Sequence, residues 1–304
     1  MKKRMMNLMK NKILLFLAFF GMFLVSCGQQ DYPTDYPESP SHTQADILWP
    51  SALETQVFSD GVLAMVDYSQ VEQGYISAKR LSDAGICKLQ IAKEDKKYNY
   101  DLTKTEYVSF PLQMGNGIYT LKILQQVEGT KYAVCASQEI NVQLNDDKQC
   151  YLVPNQVVYY QPSSKVVSMS FEQTKEDTDD LTRVYHLFQY TIDTLDYDYK
   201  KADDVSDTYV LPDIDEAIDK KSGICFDYAS MMAALCRVQG IPAKVIVGWT
   251  DIEYHAWVEV YLEHEGWINP KIYFEQKQWT LMDPTFADSK NADYEGKYEE
   301  VYRY

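Results

Sequence analysis

Three residues of complementary chemistry stand in order within Lys221–Asp288: Cys225, His255 and Asp283. A cysteine attacks as its thiolate. An imidazole is the side chain whose proton moves most readily near neutral pH. A carboxylate can hold an imidazole in one tautomer. A thiol, a base and an orienting acid, with donors for an oxyanion, are the parts needed for acyl transfer through a thioester. Each residue also has a plainer reading. Cys225 can be a buried thiol and His255 an ordinary strand histidine. Asp283 can be the turn-forming half of Asp283-Pro284, with Asp251 as the substitute acid.

The flanking pattern says which elements would carry them. Ala229, Met232, Ala233 and Cys236 recur at helical spacing, and Gly240-Ile241-Pro242 is a stop signal. Cys225 therefore falls in the first turn of a helix, where unpaired N–H groups and the positive end of the dipole favour a thiolate. Its own N–H can supply one oxyanion donor; no second donor is visible in the sequence, and a side chain from Tyr197–Leu211 is one option. Cys236 lies about 16 Å further along at ~1.5 Å per residue, too far for a disulfide, and reads as core. Ala243–Trp249 reads as a strand. His255–Leu262 reads as another, with Ala256, Val258, Val260 and Leu262 on one face and His255, Trp257, Glu259 and Tyr261 on the other. A third, Gln278–Met282, delivers Asp283 just before Pro284 ends the ladder. The tryptophans at 249, 257, 267 and 279 suit either a cleft lining or core packing.

Four blocks carry a family resemblance: Gly223-Ile224-Cys225-Phe226-Asp227-Tyr228-Ala229, Gly240-Ile241-Pro242-Ala243, His255-Ala256-Trp257-Val258-Glu259-Val260, and Trp279 with Asp283-Pro284-Thr285. In this order they resemble the transglutaminase-like superfamily over about Leu181–Asp288. The resemblance implies a papain-like core of helix and antiparallel sheet, with Cys225 as nucleophile, His255 as base and Asp283 as orienter. It implies action on amides, spanning transglutaminases, proteases, amidases and deglycosylating enzymes. Asn269–Gln278 departs from a compact pattern and reads as an inserted hairpin.

The rest of the chain reads as delivery and presentation. Leu181, Val184, Leu187, Phe188, Ile192 and Leu195 form one helical stripe behind Asp179 and Asp180, and His186 falls off it. Alternating apolar residues over Tyr151–Tyr160 open a second domain, 151–304. Before it, 46–150 has period two: Val62–Tyr68, Lys88–Ala92, Tyr107–Pro111, Ile118–Val127, Tyr132 to Ala136 and Ile140–Leu144, separated by turn signals. The expected fold class is α+β, an immunoglobulin-like antiparallel β-sandwich followed by a helix-plus-antiparallel-sheet domain. Cys87, Cys135 and Cys150 read as buried thiols, with one disulfide among them the alternative outside the cytoplasm. No CxxC or zinc-ligand spacing occurs, and no cofactor or metal is expected.

The N-terminus has Lys2, Lys3, Arg4, Lys10 and Lys12, then an uncharged run, Ile13–Val25. That is a signal-peptide pattern, too short to span a bilayer. Leu24-Val25-Ser26-Cys27 resembles the bacterial lipobox, implying cleavage after residue 26, acylation of Cys27 and an extracytoplasmic, membrane-anchored protein; a non-lipidated secreted form is the alternative. Residues 27–45, with three prolines and a repeated Asp-Tyr-Pro, read as a flexible tether. The formal net charge of −16 argues against nucleic acid as a partner. A protein or peptide of the cell envelope is the expected substrate. The alternative class is a non-catalytic surface lipoprotein whose second domain is a scaffold.

Overall fold

The computed structural model describes residues 36–205, 210–250, 254–268 and 298–304. The leader, Cys27, Asp251, the Asn269–Gln278 hairpin, the Gln278–Met282 strand, Trp279 and Asp283 lie outside the described residues.

The first half is two four-stranded antiparallel sheets. One has the order β1 (Val57–Ser59), β2 (Ala64–Asp67), β3 (Tyr75–Arg80), β6 (Val108–Pro111). The other runs β5 (Lys96–Asp101), β4 (Cys87–Lys93), β7 (Gly117–Glu128), β8 (Lys131–Val142). Alternation decides the faces: Leu89 and Ile91, then Tyr119, Leu121 and Ile123, are buried on the second sheet, and Val66, Ile76, Ala78 and Phe110 on the first. Tyr100 and Phe110 meet across the layers, ring centroids 4.9 Å apart. Two expectations change here, and the alternating stretch after the sheets takes a different form. Lys131–Val142 is one long edge strand, of which only Ile140 and Val142 are buried; Val134, expected on an inner face, is 56% exposed. Cys135 is exposed on the same strand, so the buried-thiol reading holds for Cys87 and Cys150 alone; all three are free thiols. Tyr151–Tyr160 forms no strand, because Asn155 Oδ1 accepts the N–H groups of Val157 and Val158, both at 2.9 Å, and closes a turn.

The second half is built around one helix. In chain order come α1 (Lys165–Gln173), α2 (Asp180–Thr194), β9 (Asp196–Tyr197), α3 (Tyr199–Asp204), α4 (Ile214–Lys220), β10 (Ser222–Gly223) and α5 (Cys225–Val238). The sheet β13-β12-β11-β14 follows, formed by β11 (Ala243–Thr250), β12 (Tyr254–Leu262), β13 (Gly266–Ile268) and β14 (Tyr298–Arg303), all antiparallel. α1 and α2 pack on one side of α5 and β11 and β12 on the other. Every residue from Asp227 to Val238 is therefore buried, not only the stripe of Ala229, Met232, Ala233 and Cys236. A helix covered on all sides is a core helix.

The guanidinium of Arg237, 1% exposed, locks this core. Its N–H groups donate to the main-chain oxygens of Ala243 (3.0 and 2.8 Å), Val153 (2.8 Å) and Tyr304 (3.0 Å). Burial pulls its pKa down to about 10, so it stays charged at neutral pH. The expected flexible tether is partly fixed as well. Ser39 N–H donates to the Thr178 carbonyl (2.9 Å), Arg183 Nη1 to the Pro40 carbonyl (3.2 Å), and Asp180 N–H to Ser39 Oγ (3.1 Å). Ser39 and Pro40 thus dock on the start of α2. His186 pairs with Asp177 at 2.9 Å.

Candidate active site

The start of α5 is held by main-chain geometry. β9 and β10 pair in parallel, Ser222 beside Asp196 and Gly223 beside Tyr197. Asp198 N–H donates to the Gly223 carbonyl at 2.9 Å. A Cβ on Gly223 would lie 2.7 Å from Cβ of Asp227, so only glycine allows this approach. Asp227 is 1% exposed, and its Oδ2 accepts from the Ile224 N–H (2.8 Å) and from Lys201 Nζ (2.7 Å). That carboxylate caps the helix from its third position. The Ile224 carbonyl takes the N–H groups of Asp227 (2.8 Å) and Tyr228 (3.1 Å). The N–H of Cys225 has no partner among the described residues. Cys225 is half-buried at the tip of this turn.

His255 is the second residue of β12, 1% exposed. It pairs across the ladder with Gly248 of β11. There β14 bulges, skipping Val301, and a Cβ on Gly248 would fall 2.0 Å from the Glu299 carbonyl oxygen. The glycine lets β14 close against the sheet beside the histidine. At the same end Trp249 and Tyr254 are exposed, rings 4.9 Å apart.

The layer geometry gives the relation of Cys225 to His255. Arg237, in the last turn of α5, is bonded to Ala243 at the start of β11, which pairs with Val260. From Arg237 back to Cys225 is about 18 Å at ~1.5 Å per residue. From Ala243 on to Gly248 is about 17 Å at ~3.4 Å per residue. Cys225 and the Gly248–His255 pair thus lie at the ends of their elements away from the Arg237–Ala243 bond, and α5 packs on both strands. Of the tryptophans, Trp257 is core at 2% exposure, Trp267 lies against Tyr151 and Lys244, and Trp249 is at the open end.

Sequence reading missed Lys201 and the capping role of Asp227. The latter was signalled locally, by an acid three residues beyond the start of a helix; the former was not, since Lys201 is 26 residues away. Tyr197, from the stretch that could supply a second oxyanion donor, lies at the helix start, its ring 4.8 Å from that of Tyr199 and 6.5 Å from that of Tyr228.

Residues 167–284 match the Transglutaminase-like superfamily, and the chain carries a domain of that superfamily. Among curated proteins it is similar to YebA of Bacillus subtilis, 31% identical over 91 residues, 24% of this chain and 12% of that protein. It is also similar to a protein-glutamine gamma-glutamyltransferase of Pseudomonas aeruginosa, 33% identical over 69 residues, 18% of this chain and 10% of that protein. The matches thus span about a tenth of the length of these relatives. Among solved structures, the periplasmic domain of TgpA from Pseudomonas aeruginosa aligns at 15% identity and a TM-score of 0.32, covering 77% of this chain and 78% of that one.

Proposed function

We propose that this protein is a transglutaminase-like cysteine enzyme that attacks amide carbonyls of proteins or peptides in the cell envelope through a thioester on Cys225. The observation that supports the reading is Cys225 at a capped helix tip, with the buried His255 on a strand packed against that helix. In the proposed reaction His255 takes the thiol proton and the Cys225 sulfur adds to the amide carbon. The oxyanion is met by the Cys225 N–H. His255 returns the proton to the leaving nitrogen, and ammonia or an amine departs as the thioester forms. An incoming amine then completes a transfer, or water a hydrolysis, with His255 as base. Asp283 is assigned the role of holding the His255 tautomer. The name of the Pseudomonas relative, a protein-glutamine gamma-glutamyltransferase, supports a glutamine side chain as one acyl donor. The exposed Trp249 and Tyr254 would flank an incoming chain at the open end. The protein is proposed to act outside the cytoplasm, anchored by acyl chains on Cys27.

The test is a glutamine-containing peptide incubated with a dansylated amine, read by mass spectrometry for incorporation, deamidation or cleavage. Wild type should form one of these products. Cys225→Ala and His255→Ala should each lower the rate by at least about 10³-fold, and Asp283→Asn by less. A Cys225→Ala variant as active as wild type would sink the reading and favour the scaffold alternative. Growth with an alkyne-bearing fatty acid should label the wild-type chain and not Cys27→Ser.

A further inference from the structure

The chain ahead of β1 is fastened to the second domain before it enters the first. The Tyr36 ring stands edge-on to His264 in the turn between β12 and β13, centroids 5.8 Å apart. Ser39 and Pro40 are tied to Thr178, Asp180 and Arg183. Arg183 is 3% exposed, and besides Pro40 it donates to the Asp177 carbonyl (3.2 Å) and the Asp180 carboxylate (2.6 Å). The His42 ring lies on Gly240: a Cβ there would come 2.7 Å from its Cε1. Asp46 then takes the Thr43 N–H and hydroxyl (2.9 and 2.6 Å) around the 3₁₀ turn Gln44–Asp46, and Ile47 is buried in the core. A free tether makes no such run of contacts. Residues 36–47 are a strap.

Two of the strap's ties mark one pole of the second domain. Gly240 follows the C-terminal end of α5, and His264 lies just past the end of β12. Cys225 is at the other end of α5, about 20 Å from Val238 at ~1.5 Å per residue. His255 is at the other end of β12, about 24 Å from Leu262 at ~3.4 Å per residue. α3 belongs to the Cys225 end, since Asp198 N–H donates to the Gly223 carbonyl and Lys201 Nζ to Asp227. The step from Cys27 to Tyr36 spans at most about 30 Å of extended chain. A chain held at Cys27 therefore keeps the Arg237 pole within that reach, while the Cys225 end stands a helix length further from the point of attachment.

We propose that the strap makes the chain leave the folded protein at the Arg237 pole, so that an N-terminal anchor turns the Cys225 end away from the bilayer. Substrate then reaches the thiol from the far side and not along the lipid surface. The proposal rests on the reading of Cys27 as the anchor, so the test attaches the chain without it. Hexahistidine replaces residues 1–27 and binds vesicles of nickel-chelating lipid that carry a rhodamine headgroup acceptor. Cys135→Ser and Cys225→Ala remove the thiols that reach solvent among the described residues. A donor dye is then placed on Glu263→Cys at the Arg237 pole or on Lys200→Cys at the other, both exposed positions. Energy transfer to the bilayer should be about two-fold stronger from residue 263, given the ~20 Å between the poles. Replacing residues 36–42 by glycine and serine should remove most of that difference while the chain stays vesicle-bound. Equal transfer from the two positions, or stronger transfer from residue 200, overturns the proposal. So does a difference that survives loss of the strap. Hydrogen exchange keeps the test decisive if the glycine–serine chain misfolds. The Ser39 amide, bonded to the Thr178 carbonyl, should be protected in the unaltered chain, and exchange as fast as in a free coil overturns the strap. Fatty-acid labelling of Cys27 is read separately: its absence sinks the anchor and leaves the polarity set by the strap as measured.

Discussion

The two ends of α5 are made differently. At its C-terminal end Cys236 is fully buried, its thiol pushed strongly up by desolvation. Arg237 beside it binds three separate chain segments. At the N-terminal end Cys225 is half-buried, its N–H is open, and the nearby carboxylate of Asp227 faces inward to Ile224 and Lys201. One end fixes the helix in the protein; the other presents a nucleophile to whatever enters. The difference also separates the thiols. Burial raises Cys87 to about 11 and Cys150 to about 12, through loss of hydration of the thiolate. Among the described cysteines only Cys225 and Cys135 reach solvent.

The largest expected effect breaks the comparison at the sulfur atoms. In a Cys27→Ser, Cys135→Ser background, iodoacetamide on the native chain should alkylate Cys225 and leave the other three cysteines unreacted, read by peptide mapping. Cys225→Ala should abolish that labelling with little change in unfolding midpoint. Cys236→Ala should keep the labelling and lose about 1–2 kcal/mol by opening a small cavity. Rapid alkylation of Cys236 would show that the C-terminal end is not sealed.

Next comes the anchor. Arg237→Ala removes the side-chain donors from three main-chain oxygens, of which the Tyr304 oxygen keeps the Val245 N–H. The expected cost is about 2–4 kcal/mol, from buried carbonyls that lose a donor, read as a lower urea midpoint. Since β11 and β14 both end on this guanidinium, Arg237→Ala should also speed hydrogen exchange across that sheet. A smaller loss is expected from Gly248→Ala, at about 1–3 kcal/mol of overpacking. The Glu299 carbonyl must move away from the new Cβ, beside His255, so turnover should fall in the same variant. An unchanged rate would mean that the β14 contact does nothing for the histidine.

How far the two ends were legible in the sequence follows from how local their signals are. The start of α5 was readable because Gly223, a helical stripe and Gly240-Ile241-Pro242 lie within twenty residues of one another. The strands of the second sheet were readable because Val245, Val247, Val258 and Val260 keep strand spacing. α1 was not, since it buries Val166, Val167 and Ser170 and carries no apolar stripe. β14, written Tyr-Glu-Glu-Val-Tyr-Arg, has charges where a core strand would have aliphatics; its ladder with β11 outweighs its composition. The docked Ser39 and Pro40 read as tether because their ties are polar bonds to residues more than 130 positions away. Arg237 gave no local signal, because its acceptors come from three separate stretches.

The smallest effect tests whether the inward-facing carboxylate matters to the thiol. Lys201, 31% exposed at its side chain, neutralises the buried Asp227 two positions past Cys225. Lys201→Met would leave that negative charge with the Ile224 N–H alone. A unit charge at roughly 8 Å in an effective dielectric of about 20 is worth about 2 kcal/mol, and partial solvent access should halve that. The uncovered carboxylate disfavours a thiolate, so alkylation of Cys225 at pH 7 should slow about five-fold, with the pH midpoint of the rate moved upward. Lys201→Arg, which keeps the charge, should restore most of the rate. Two outcomes divide the roles cleanly. If Lys201→Met lowers the unfolding midpoint and leaves the alkylation profile in place, the pair is a strut for α3 and the helix start. If the profile moves and arginine restores it, Lys201 keeps the working end of α5 electrically open, as Arg237 keeps the other end closed.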